Sequence, residues 1–82
     1  MTLRETFIKY LEHRVADGRP VFASHDMGDA RMWIMYKSGK MCLQDTLSRI
    51  WRECRETGTV EVRDAKLPNS REGRWFIRKI NS

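Results

Sequence analysis

The sequence predicts an α+β fold of three helices closed by a C-terminal β-hairpin. Three observations carry that expectation. Leu3, Phe7, Ile8, Leu11 and Val15 repeat at helical spacing, one apolar stripe on an otherwise polar segment. Leu43, Leu47, Ile50, Trp51 and Cys54 form a second stripe, and Gly58 comes after it as a stop. Residues 59–63, Thr-Val-Glu-Val-Arg, then alternate polar and apolar, and residues 74–80, Arg-Trp-Phe-Ile-Arg-Lys-Ile, answer them as a return strand. With 82 residues the chain makes one domain, residues 1–82, so a few large side chains decide its stability.

Thr2-Leu3-Arg4-Glu5, at the start of the chain, is a capping-box pattern, in which the Thr hydroxyl and the Glu carboxylate satisfy each other's backbone N–H. The first helix stops near residues 16–18, before Pro20. Residues 20–23 are short and apolar, either an edge strand or an extended entry to the next segment. Ser24-His25-Asp26 contains the residue types of a hydrolase triad, but chain neighbours diverge in space where a triad must converge. Ser24 or Asp26 is expected instead to cap the next helix, with Asp29 in its first turn. Residues 27–38 fit a second helix through Met27, Ala30, Trp33, Ile34 and Lys37, ending at Ser38-Gly39. The competing reading is a strand over 31–36 with a turn at 37–40. Met and Ala favour the helix. Trp33 and Tyr36 are expected as core anchors. The third helix should end at Thr57. Residues 64–73 hold the breakers Pro68, Asn69, Ser70 and Gly73, a loop between two strands.

The chain carries a net charge of +5, and the excess is uneven. Residues 60–80 hold six basic side chains (Arg63, Lys66, Arg71, Arg74, Arg78, Lys79) against three acidic ones (Glu61, Asp64, Glu72). Such a tip attracts a phosphate backbone in a salt-dependent way. The same charges also keep an exposed hairpin soluble. Apolar runs stay far below membrane-spanning length and no signal segment opens the chain, so a soluble, cytoplasmic protein is expected, with no membrane partner. Cys42 and Cys54 read as small buried apolar residues rather than a disulfide.

Residues 46–61, Thr-Leu-Ser-Arg-Ile-Trp-Arg-Glu-Cys-Arg-Glu-Thr-Gly-Thr-Val-Glu, together with Gly73-Arg74-Trp75-Phe76-Ile77-Arg78, resemble the winged helix-turn-helix domain of small bacterial and phage DNA-binding proteins. In that pattern an arginine-rich amphipathic helix ends in Arg-Glu-x-Gly before a strand, and the hairpin closes with Gly-x-Trp and an apolar-basic strand. Cys54 stands where leucine is usual, and residues 33–36 are bulkier than the family's second helix. The resemblance implies a transcriptional or phage regulator that binds double-stranded DNA.

In that arrangement the third helix enters the major groove and offers Gln44, Asp45, Ser48, Arg49 and Arg52 to base edges. Lys40 and Thr46 would hold the backbone, which orients without conveying sequence. Lys66, Arg71 and Arg74 would extend the contact from the hairpin. The competing reading of the helix is a solvated face, with Arg49–Glu53 and Arg52–Glu56 as weak i,i+4 pairs.

Enzyme chemistry finds no support. The chain has no phosphate-cradling glycine loop and no Cys or His pair at metal spacing, so no catalytic residue, metal or cofactor is expected. His13 and His25 lie on different elements. A second binding reading keeps the same fold and exchanges the partner. The mixed charge of the third helix and the Met/Trp/Tyr segment suit a protein surface, as in phage inhibitors of host defence complexes of the anti-CRISPR type. A second copy of the chain is another candidate partner.

Overall fold

The computed structural model describes residues 2–64 and 73–81. Its elements are helix α1 (Leu3–Ala16), strand β1 (Val21–Ala23), helix α2 (Met27–Ser38), helix α3 (Gln44–Glu56), strand β2 (Val60–Asp64) and strand β3 (Arg74–Ile80). The fold is α+β, with three helices packed on an antiparallel sheet of order β1-β3-β2. No described helix is long and apolar enough to cross a membrane.

Helix α1 begins as its first residues dictate. The Thr2 hydroxyl accepts from the Glu5 N–H at 3.1 Å, and the Glu5 carboxylate accepts from the Thr2 N–H at 3.4 Å. Phe7 and Leu11 of the expected stripe are fully buried, Leu3 and Ile8 pack beside them, and Val15 lies at the exposed margin. Tyr10 and Arg14 are buried as well, so the inward face is wider than the apolar stripe alone. Residues 27–38 are helical. Gly39 closes α2 at φ 69°, a conformation that costs glycine little. Gly58 does the same after α3, at φ 76°.

Three aromatic rings join the layers. Phe7 of α1 meets Phe22 of β1 edge-on at 5.7 Å, and Trp51 of α3 lies 5.9 Å from Phe7 and 4.9 Å from Phe22. Ala30, Ile34, Leu47, Ile50, Cys54, Val60 and Ile77 complete the core around them. Cys42 and Cys54 are both buried and unbonded, and burial raises both thiol pKa values.

The sheet explains a pattern that strict alternation would forbid. Val62 faces Ile77 and Glu61 faces Lys79, so Arg78 is one extra residue in β3. That bulge lets Ile77 and Ile80, three positions apart, both reach the core. β1 pairs with β3 through Val21↔Phe76, Phe22↔Trp75 and Ala23↔Arg74, so residues 21–23 form an edge strand.

Three local expectations fail. Leu43 precedes α3 in an extended conformation and is 58% exposed. Tyr36 is 83% exposed, because Ala30 and Ile34 occupy the inward face of α2. Neither Ser24 nor Asp26 caps α2 with its side chain. Residues 24–26 form a 3-10 turn instead. The Asp26 carboxylate accepts from the Ala23 N–H at 2.9 Å and pairs with Arg14 at 3.5 Å, so it is already engaged.

Candidate functional site

Helix α3 divides cleanly. Leu47, Ile50, Trp51 and Cys54 are buried, which fixes its rotation and turns Gln44, Asp45, Arg49 and Arg52 to solvent. Ser48 and Thr46 are half-buried at the two edges of that face. Lys40 is exposed in the turn before the helix. These sequence-expected residues therefore gather on α3 and its approach.

The two exposed arginines differ. Arg49 lies 3.9 Å from Glu53, which is also 3.8 Å from Arg4 of α1. Both pairs are open to water, so they hold the arginines weakly, at about 0–1 kcal/mol. The expected Arg52–Glu56 pair is not formed, and Arg52 has no ion-pair partner among the described residues. Among the described residues Arg52 is thus an unpaired cation on the outward face.

Beside this face runs a groove of ≈ 280 Å³ between α3 and the start of β3. Ser48, Arg52 and Arg55 line its helical side, and Gly73 and Trp75 line the strand side. Arg55 and Trp75 are the residues that sequence reasoning missed. The Arg55 guanidinium carbon lies 4.3 Å from the Trp75 ring centre and 5.3 Å from that of Trp51. Such stacking favours a cation over the negative ring face. It ties α3 to the hairpin through side chains twenty positions apart. Burial lowers the Arg55 pKa, and neighbouring Arg52 lowers it further.

Arg74 does not join this group. It is half-buried opposite Ala23 and lines a separate depression with Arg14, Arg19 and His25. The cause is strand alternation: Trp75 turns toward α3, so its neighbour Arg74 turns to the other sheet face. Arg63 shares that second face, its guanidinium 5.4 Å from the Phe76 ring. Lys66 and Arg71, the other two expected hairpin contacts, lie outside the described residues.

The triad reading of residues 24–26 gains nothing. Ser24 Oγ donates to the Gly73 carbonyl at 3.4 Å, and His25 Nε2 lies 3.7 Å from Asp26. Among the described residues no group of three or more His, Cys, Asp or Glu side chains could hold a metal ion. The arrangement combines an exposed polar helix face, two adjacent cations and an aromatic floor. Comparison of the chain with protein-family models, with curated proteins and with solved structures returns no match.

Proposed function

We propose that the chain is a winged helix-turn-helix protein that binds double-stranded DNA through α3, acting as a transcriptional or phage regulator. The observation that carries this reading is Arg52, exposed on the solvent face of α3 and in no ion pair with a described residue, next to a weakly held Arg49. Gln44, Ser48 and Arg49 share its side of the helix and supply the donors and acceptors that base edges require. The order of elements, with a hairpin directly after α3, supports the same reading. The Glu53 and Asp45 carboxylates reduce non-specific phosphate attraction, so binding depends on a few placed contacts.

The test is binding of a labelled random-sequence duplex across a salt series. Affinity should fall steeply with salt. Arg52→Ala should weaken it about tenfold, and Arg49→Ala less, because Glu53 competes for that side chain. A wild-type chain that ignores duplex at low salt ends the reading.

A specific feature favours a second partner class. Met32, Tyr36, Met41 and Leu43 are 67%, 83%, 73% and 58% exposed along α2 and the turn before α3. Large apolar side chains gathered on one stretch suit a protein surface. If duplex binding is absent, an inhibitor of a protein complex, such as a host defence assembly, becomes the leading function.

A further inference from the structure

Charges inside a fold normally find partners, because a half-buried cation without one gives up hydration for nothing. Arg55 departs from that rule. Its Nε is enclosed and has no hydrogen-bond acceptor, and the side chain makes no ion pair or hydrogen bond with any described residue. The nearest charge contributions come from Arg52, which repels it, and Glu56, which lies beyond ion-pair distance. Two like charges thus share one groove, neither in an ion pair with a described residue. Half-burial of Arg55 beside an exposed Arg52 is explained if the balancing charge arrives from outside.

We propose that this groove is a seat for a single phosphoryl group, in duplex DNA a backbone phosphate, held by Arg52 and Arg55 with the Ser48 hydroxyl as a third donor. The DNA source rests on the function proposed above; the phosphoryl seat itself does not.

Four features select this ligand. Ser48, Arg52 and Arg55 stand at i, i+4 and i+7, one line along α3, and all three line the groove. The Trp75 and Trp51 rings fix the Arg55 guanidinium. A planar fork held in place matches two phosphate oxygens, which a lysine ammonium cannot do. At ≈ 280 Å³ the groove has room for a phosphoryl group beside the two guanidinium groups. Its position beside the exposed face of α3 places it where a flanking phosphate runs when a helix enters a major groove.

Arg55→Gln, Arg55→Lys and the wild type would be titrated with a random-sequence duplex over a salt series. In parallel, inorganic pyrophosphate would be titrated while the Trp75 indole N–H resonance is tracked by NMR, assigned with Trp75→Phe. Arg55→Gln should weaken duplex binding about tenfold and reduce the salt slope by about one contact. Arg55→Lys should keep the slope and lose about threefold in affinity, because it retains charge without the fork. Pyrophosphate should move the Trp75 resonance saturably in the wild type and not in Arg55→Gln.

Salt-dependent duplex binding that Arg55→Gln leaves unchanged in affinity and slope overturns the seat while the DNA reading stands. Absent duplex binding ends the DNA reading, and pyrophosphate then decides. A saturable Trp75 shift supports a seat for some other phosphoryl ligand, and no shift overturns it. A shift produced by a polyglutamate peptide but not by pyrophosphate assigns the groove to an acidic protein segment and overturns the proposal. Should Arg55→Gln fail to fold, wild-type affinity in Arg55→Lys is the overturning result.

Discussion

Arg14 and Arg55 each lie against a pair of aromatic rings, and they meet opposite fates. Arg14 of α1 reaches β1 and the 24–26 turn, 5.8 Å from the Tyr10 ring and 5.9 Å from that of Phe22. It donates to the Tyr10 hydroxyl at 3.1 Å and to the Val21 carbonyl at 2.5 Å, and pairs with Asp26 at 3.5 Å. Arg55 has the rings and, among the described residues, none of the acceptors. The first side chain is spent on joining three elements, with only its Nε unpartnered. The second is held in place but left with hydrogen-bonding capacity to give. Stacking alone therefore does not mark an arginine as structural or functional; what distinguishes the two is whether the fold supplies the oxygen atoms.

The sharpest way to break that contrast is to delete each charge and measure stability by urea denaturation. Arg14→Met leaves Asp26 and the Val21 carbonyl without their cation in a site where Arg14 is 6% exposed, and should cost about 3 kcal/mol. Arg55→Met removes a cation that is in no ion pair with a described residue, and its thioether stem still covers Trp75. Its cost should stay below about 1 kcal/mol. Equal losses would show that Arg55 is as structural as Arg14 and would remove the reason to seek an outside anion.

Much of this framework was legible from residue order, and the exceptions have physical causes. The capping box, both apolar stripes and the glycine stops are local signals, and α1, α3 and the hairpin strands arise from them. Leu43 misled because an apolar period continues past the first helical residue, where the backbone turns extended and the side chain faces water. Tyr36 misled because its large ring, not its place in the helical period, made it an expected anchor; the stripe of α2 runs through Ala30 and Ile34, which took the inward side. The exposed face of α3 was readable because four buried positions fix its rotation. The groove was not. It depends on β3 bringing Trp75 to Arg55, and on alternation turning Arg74 away. Register between distant strands leaves no mark in a short sequence.

A smaller effect sharpens the Arg14 side. The Tyr10 hydroxyl donates to Asp29 at 2.9 Å and accepts from Arg14. Burial, with the Asp29 hydrogen bond next, pushes the Tyr10 pKa up to about 12 from an ordinary 10.0. The raised folded value means the neutral phenol is favoured by folding. That contribution is fully present below pH 10.0 and is lost as pH rises through about 12. Tyr10→Phe should be less stable than wild type at neutral pH, since Asp29 and Arg14 each lose a partner. The gap should narrow in alkali, where the wild type alone must ionise a buried phenol. A gap that stays constant from pH 8 to about pH 12 would place the Tyr10 hydroxyl outside this network.

The smallest expected effect probes the floor of the groove. A methyl group added at Gly73 would meet Ser24 Oγ at 3.5 Å and Trp75 Nε1 at 3.6 Å, ordinary contact distances that force nothing to move. Gly73→Ala should therefore change stability by no more than about 0.5 kcal/mol, with a gain favoured because alanine has less freedom to lose on folding. Melting temperature measures the first quantity, and the Trp75 indole resonance reports whether the ring has shifted. A stable variant with an unmoved ring describes a groove open enough to admit an added methyl group, unlike the filled site around Arg14. A loss above about 1 kcal/mol would mean that Ser24, Gly73 and Trp75 already close together. The contrast between a finished arginine site and an unfinished one would then have to rest on Arg55 alone.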